Sequence, residues 1–180
     1  MIGPRFGLGL VVLTALGVTG CSVPAGSATP ASPSASAAAP QKSLDLAARD
    51  ACGVLPSAAF STLGVAPDPV ERLMGPTATR CEWRTIDGHA RLALVLNYGV
   101  GLEDIELVAG GAVEELTPMT VAGLPATRVD HVDSPTCRIG VGVAPTQLFS
   151  AEASELSADA PPLCPLAEAL AEEVVSALRG

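Results

Sequence analysis

Few side chains in this chain are suited to chemistry. Its 180 residues hold five cysteines and two histidines. Cys21 closes the tetrad Val18-Thr19-Gly20-Cys21, directly after an apolar stretch at 6–18 with Arg5 ahead of it. Aliphatic, small, small, Cys is the bacterial lipobox, placed where a secretory signal is cut. The chemistry requires a thiol there. Diacylglycerol joins the sulfur through a thioether, and small residues before it let the extended chain enter the peptidase cleft. The apolar stretch is too short to span a bilayer core, which takes about 20 residues. Two or three acyl chains, at about 0.8 kcal/mol per buried methylene, anchor a protein stably. The expected placement is the extracytoplasmic face of the cell membrane, held through lipid on Cys21.

The other polar cluster is Asp130-His131-Val132-Asp133, where carboxylates flank an imidazole that could bind a divalent cation or act as a tuned base. Along a strand, Asp130 and His131 point to opposite faces, so a joint site requires the chain to turn. Ser134-Pro135 is such a turn signal, and an Asp/Ser/Pro-rich turn accounts for the same residues without a ligand. His89 follows Asp87-Gly88 and reads as a solvated turn residue. Trp83, beside Cys81, is either a stacking platform or a side chain packed on a disulfide, with packing the simpler choice. No Gly-x-Ser-x-Gly elbow, His-Glu-x-x-His helix, Walker loop or dinucleotide-binding glycine pattern is present in the sequence. The expectation is a noncatalytic partner- or ligand-binding domain with no cofactor and no metal; the alternatives are an enzyme acting on envelope material, with Asp130, His131 or Asp133 in its site, and a structural spacer.

With Cys21 committed to lipid, Cys52, Cys81, Cys137 and Cys164 form an even set in an exported chain, hence two disulfides. Three connectivities are possible. Sequential pairing, Cys52 with Cys81 and Cys137 with Cys164, closes two loops of similar length, each worth about 3.6 kcal/mol by chain entropy. No Cys-x-x-Cys occurs, and neither histidine lies at ligand spacing from a cysteine.

Composition sets the domain organisation. Residues 1–20 read as the signal peptide. Residues 21–42 are the lipidated Cys followed by Ser, Ala, Pro and Gly, too poor in large apolar side chains to offset the entropy of ordering, and so a disordered tether. Residues 43–180 are long enough for one globular, disulfide-stapled domain. The full chain carries a net charge of −9, and loss of Arg5 with the signal makes it about −10. That balance excludes nucleic acid as a partner. It leaves the membrane through the anchor, and an envelope protein, a wall component or a small ligand.

The elements that must position these residues follow from periodicity. Ser43 can cap a helix whose apolar positions are Leu44, Ala47, Ala48, Ala51 and Leu55, and Pro56 opens a second, stopped by Gly64. Residues 67–76 read as loop. A strand at 80–86 leads through Asp87-Gly88, a two-residue type I′ hairpin signal, into a clearly alternating strand at 90–98. A short helix follows from Leu102, ended by Gly110-Gly111, with the acids of 103–115 as a solvated face. Strands are expected at 115–121, 126–131, 137–143 and 146–151, then a helix at 163–179 whose start Cys164 would pin to the sheet. The fold class is α+β: a mostly antiparallel sheet with N-terminal and C-terminal helices packed on one face.

In this order, the lipobox, the low-complexity tether, Cys52 before a helix ending in Leu63-Gly64, Cys81-Glu82-Trp83, Val121-Ala122-Gly123-Leu124-Pro125-Ala126, Cys137 leading a strand and Cys164 opening a Leu/Ala helix resemble the actinobacterial lipoprotein family catalogued as domain of unknown function 3558. The resemblance implies the same sequential disulfides. It implies no catalytic residue.

Overall fold

Alternating apolar and polar side chains write most of the fold as antiparallel strands, which can bury one face while the other meets different neighbours. The computed structural model of the chain describes residues 44–180 apart from Ala48 and Asp133, so the signal, Cys21, the tether and the Ser43 cap lie outside the described residues. Seven strands form one sheet: β1 (Glu71–Met74), β2 (Ala78–Arg84), β3 (Ala90–Tyr98), β4 (Val113–Val121), β5 (Leu124–His131), β6 (Thr136–Ala144) and β7 (Gln147–Glu155). Their spatial order is β1-β2-β3-β7-β6-β5-β4, with every pair antiparallel. Two meanders are thus joined where β7 returns beside β3.

One face carries the main core. Cys81 and Trp83 of β2, Leu92, Leu94 and Leu96 of β3, Ile139 and Val141 of β6, and Phe149 and Ala151 of β7 are buried there. The pattern of every second residue places them on the same side. Helix α3 (Leu163–Arg179) packs on this face through Ala167, Leu170, Ala171, Val174, Val175 and Leu178. Each buried Leu or Val contributes about 1.5–3 kcal/mol. Helix α1 (Ser57–Leu63) packs on the same side against α3 and ends at Gly64, whose φ of 63° is the left-handed conformation of a helix stop. The disulfides join Cys52 to Cys81 and Cys137 to Cys164, the second tying β6 to the first turn of α3. The α+β class, the terminal helices on one face and the sequential pairing are as expected.

The opposite face has a smaller cluster. A 3-10 turn (Leu102–Asp104) runs into α2 (Ile105–Ala109), and Ile105 and Ala109 pack with Val129 and Leu148. Gly140 and Gly142 permit this approach: a Cβ on Gly140 would lie 1.9 Å from Ile105 Cδ1, and one on Gly142 3.1 Å from Leu102 Cβ.

Several expectations are corrected. The helix expected at 44–55 is an irregular segment with a single 3-10 turn, Ala51–Gly53. The reason is local competition: Asp45 accepts from the Ala47 N–H and Asp50 from the Cys52 N–H, while the Leu46 N–H bonds Gln147 on β7. The stretch 67–76, expected as loop, contains β1. All four of its residues are exposed, so no alternation marks it. Asp50 ion-pairs with Arg72 and holds this edge strand to the 3-10 turn. The two-residue turn at Asp87-Gly88 is a wider loop closed by Thr85 and Ala90, with only Gly88 at positive φ. There Asp87 accepts from the Thr85 hydroxyl at 2.6 Å and the His89 N–H at 2.9 Å, which draws both into the loop. The type I′ turn is instead Ala122-Gly123, with φ of 47° and 80°, between β4 and β5. The last strand runs on to Glu155, and β4 begins earlier, at Val113.

Candidate functional site

Charged residues at alternate positions of otherwise apolar strands come together on the face that α3 does not cover. Glu82, Ala93, Glu152 and Arg138 are successive cross-strand partners across β2, β3, β7 and β6. Glu82 is 3% exposed and Glu152 5%. Buried carboxylates of this kind persist only with compensating charge. Arg80 supplies it to both, donating from Nε and Nη2 to Glu82 Oε1 at 2.8 and 2.6 Å and from Nη1 to Glu152 Oε2 at 3.2 Å. Arg91 Nη1 lies 3.2 Å from Glu82 Oε2, and Arg138 Nη2 lies 3.0 Å from Glu152 Oε1. Arg138 also donates to the Val108 carbonyl of α2 at 3.4 Å. Ala93, in the middle of the row, has too small a side chain to obstruct these contacts. Burial pulls the Arg80 guanidinium down, yet Glu152 and the bonds to Glu82 outweigh it, and its pKa sits above the ordinary arginine value.

A cavity of about 270 Å³ opens over this network. Arg80, Arg91, Arg138, Glu152 and His131 line it, and the Gly110-Gly111 bend after α2 forms part of its rim. Ser134, Thr136 and Ser154 supply hydroxyls on another wall, linked in a chain with 3.2 Å between successive oxygens. Three nitrogens of the lining residues, Arg91 Nε, Arg138 Nε and His131 Nε2, are buried without a hydrogen-bond partner.

The residues singled out in the sequence divide sharply. His131, at the end of β5, lines the cavity. Asp130 does not join it: it accepts from Arg128 Nε at 3.0 Å, and its strand position, opposite Cys137, places it on the α3 side. Asp133 lies outside the described residues. Trp83 is no platform. It is 1% exposed in the main core, its ring centroid 6.0 Å from that of Phe60, in the cluster that holds Cys81. His89 is half-buried rather than solvated, with Nδ1 2.7 Å from Ser157 Oγ, and the Leu156 N–H donates to its carbonyl at 2.8 Å. This pair clamps the hairpin end to the chain after β7. Glu103, Asp104, Glu106, Glu114 and Glu115 are exposed, as expected of a solvated face. Cys21 lies outside the described residues.

Sequence reasoning missed the arginines and both buried glutamates. A signal was present: Arg80 and Glu82 share a strand face at i and i+2, and Glu152 interrupts the small apolar run Ala151 to Ala153. Among the described residues no group of three or more His, Cys, Asp or Glu side chains is placed to hold a metal ion, and no helix is long and apolar enough to cross a membrane.

No curated protein and no solved structure matches the chain. A family model described as "Protein of unknown function (DUF3558)" matches residues 16–177, from the end of the apolar stretch to the last turns of α3. With nine-tenths of its length inside that match, and with the two disulfides, α1 and all but the end of α3 falling within it, the chain belongs to the DUF3558 family.

Proposed function

We propose that this chain is a lipid-anchored protein of the bacterial cell envelope, on the extracytoplasmic side of the membrane, whose domain binds a partner or small ligand without catalysis. The division of its five cysteines carries the reading. Four are used in two disulfides, a chemistry that persists in oxidising compartments, and the fifth stands in Val18-Thr19-Gly20-Cys21. Compartment and anchor motif therefore agree. Binding rather than catalysis is supported by the cavity, where guanidinium and hydroxyl groups converge, and by the separation of Asp130 from His131 across the sheet.

Metabolic labelling with a clickable palmitate analogue, followed by membrane fractionation, tests the anchor. The natural chain takes up label and sediments with membranes. Cys21→Ser remains unlabelled and is released or left unprocessed; a labelled Cys21→Ser chain overturns the reading.

A further inference from the structure

We propose that the cavity on the uncovered sheet face is an oxyanion site, which takes the carboxylate or phosphate group of a small ligand between Arg91, Arg138 and His131. This deepens the binding reading above and rests on it. Three guanidiniums meet two carboxylates there, Arg80, Arg91 and Arg138 against Glu82 and Glu152, which leaves an excess of positive charge in a chain whose net charge is −9. Neutralising two buried glutamates requires two cations; the third is surplus to that task.

The arrangement is also preorganised. Glu82 and Glu152 hold the far ends of Arg91 and Arg138 at 3.2 and 3.0 Å, so these side chains are oriented before any ligand arrives. Cations fixed in this way lose little freedom on binding. Their Nε atoms, with His131 Nε2, are the nitrogens without partners. A buried unsatisfied donor costs about 1–3 kcal/mol, and the two guanidinium Nε–H groups, which can only donate, call for an acceptor. Guanidinium groups meet oxyanions through strong, charge-assisted bonds. Ser134 donates to Thr136 and Thr136 to Ser154, so the chain of hydroxyls ends on Ser154, whose O–H adds a neutral donor to the lining. A volume of about 270 Å³ suits one acidic group and its immediate substituent, not a large ligand.

The test uses the full chain in detergent micelles. Arginine Nε–H and His131 ring resonances are followed by NMR while inorganic phosphate is added in one arm and acetate in another, with ionic strength held constant by sodium chloride. The expected result is a saturable shift at Arg91, Arg138 and His131 in at least one arm, with affinity lowered tenfold or more in Arg91→Gln and in His131→Gln. Arg91→Gln leaves Glu82 paired to Arg80, and Glu152 is held by Arg80 and Arg138 rather than by His131, so both buried glutamates keep a cation in either variant. Saturation by phosphate assigns a phosphate-bearing ligand, and saturation by acetate alone a carboxylate. Linear shifts in both arms, or an unchanged affinity in either variant, overturn the site. That failure leaves palmitate labelling at Cys21 untouched, so loss of the oxyanion site and loss of the anchor reading are told apart.

Discussion

Arg138 and Glu152 face each other across the β6–β7 ladder, with 3.0 Å between Nη2 and Oε1 on side chains only 13% and 6% exposed. The pair belongs to a face where charge replaces the apolar packing that α3 provides on the other side. Such a network binds the central strands while its members are complete and weakens them when one is missing.

Glu152→Ala removes the carboxylate shared by Arg80 and Arg138. The expected loss is about 3 kcal/mol, the low end for a broken buried pair because both arginines keep some contact with water. Urea unfolding measures it; a midpoint equal to the natural chain's would show that the network adds nothing to stability. Glu152→Gln, which keeps the shape and one acceptor, loses less.

Cys137 and Cys164 close a loop with a sequence separation of 27 and bind β6 to α3. Replacing both by Ala releases chain entropy in the unfolded state and lowers stability by about 3.6 kcal/mol on the loop-length model. Nonreducing peptide mapping provides the matching check on the natural chain: a peptide joining Cys52 to Cys164 contradicts the pairing.

Ala122 occupies the first central position of the β4–β5 turn at φ 47°, a conformation that a Cβ disfavours. Asn and Gly adopt it readily. Ala122→Asn is therefore expected to raise stability by about 1 kcal/mol, since the side chain at this position is exposed and gives up no packing. Thermal unfolding decides it, and an unchanged or lower Tm counts against the turn assignment.

The Thr85 hydroxyl and the His89 N–H hold the Asp87 carboxyl below its ordinary value of 3.8. A depressed folded pKa stabilises the fold above the unfolded pKa, and that stability is lost as pH falls through the folded value. The Tm difference between the natural chain and Asp87→Asn should accordingly narrow from about pH 6 to about pH 3. A difference that stays constant over this window removes the charge of Asp87 from the hairpin's stability.

Legibility in the sequence followed how local each determinant was. Helix α3 was readable over 163–179 because its apolar stripe repeats along one face, and β3 because Leu92, Leu94 and Leu96 recur at every second position. β1 was not, since exposure on both sides leaves no pattern. Ala47, Ala51 and Leu55 kept helical spacing, yet aspartate bonds to nearby N–H groups and the anchoring of Leu46 by Gln147 prevailed over it. At the candidate site, His131 was singled out, but its neighbours in the sequence were the wrong partners. Its cavity companions, Arg91, Arg138 and Glu152, come from three other strands.

By itself the sequence determined the sheet's strands where they alternate, the helices α1 and α3, a preference for sequential pairing of four cysteines by loop length, and the tetrad Val18-Thr19-Gly20-Cys21, all features written within about thirty residues. Only the tertiary structure decided that Glu82 and Glu152 would be buried together over Ala93 and that three arginines would converge on them. The reason is physical. Strand order β2-β3-β7-β6 makes neighbours of residues up to 72 positions apart, and a buried carboxylate takes whatever cation the pairing register delivers.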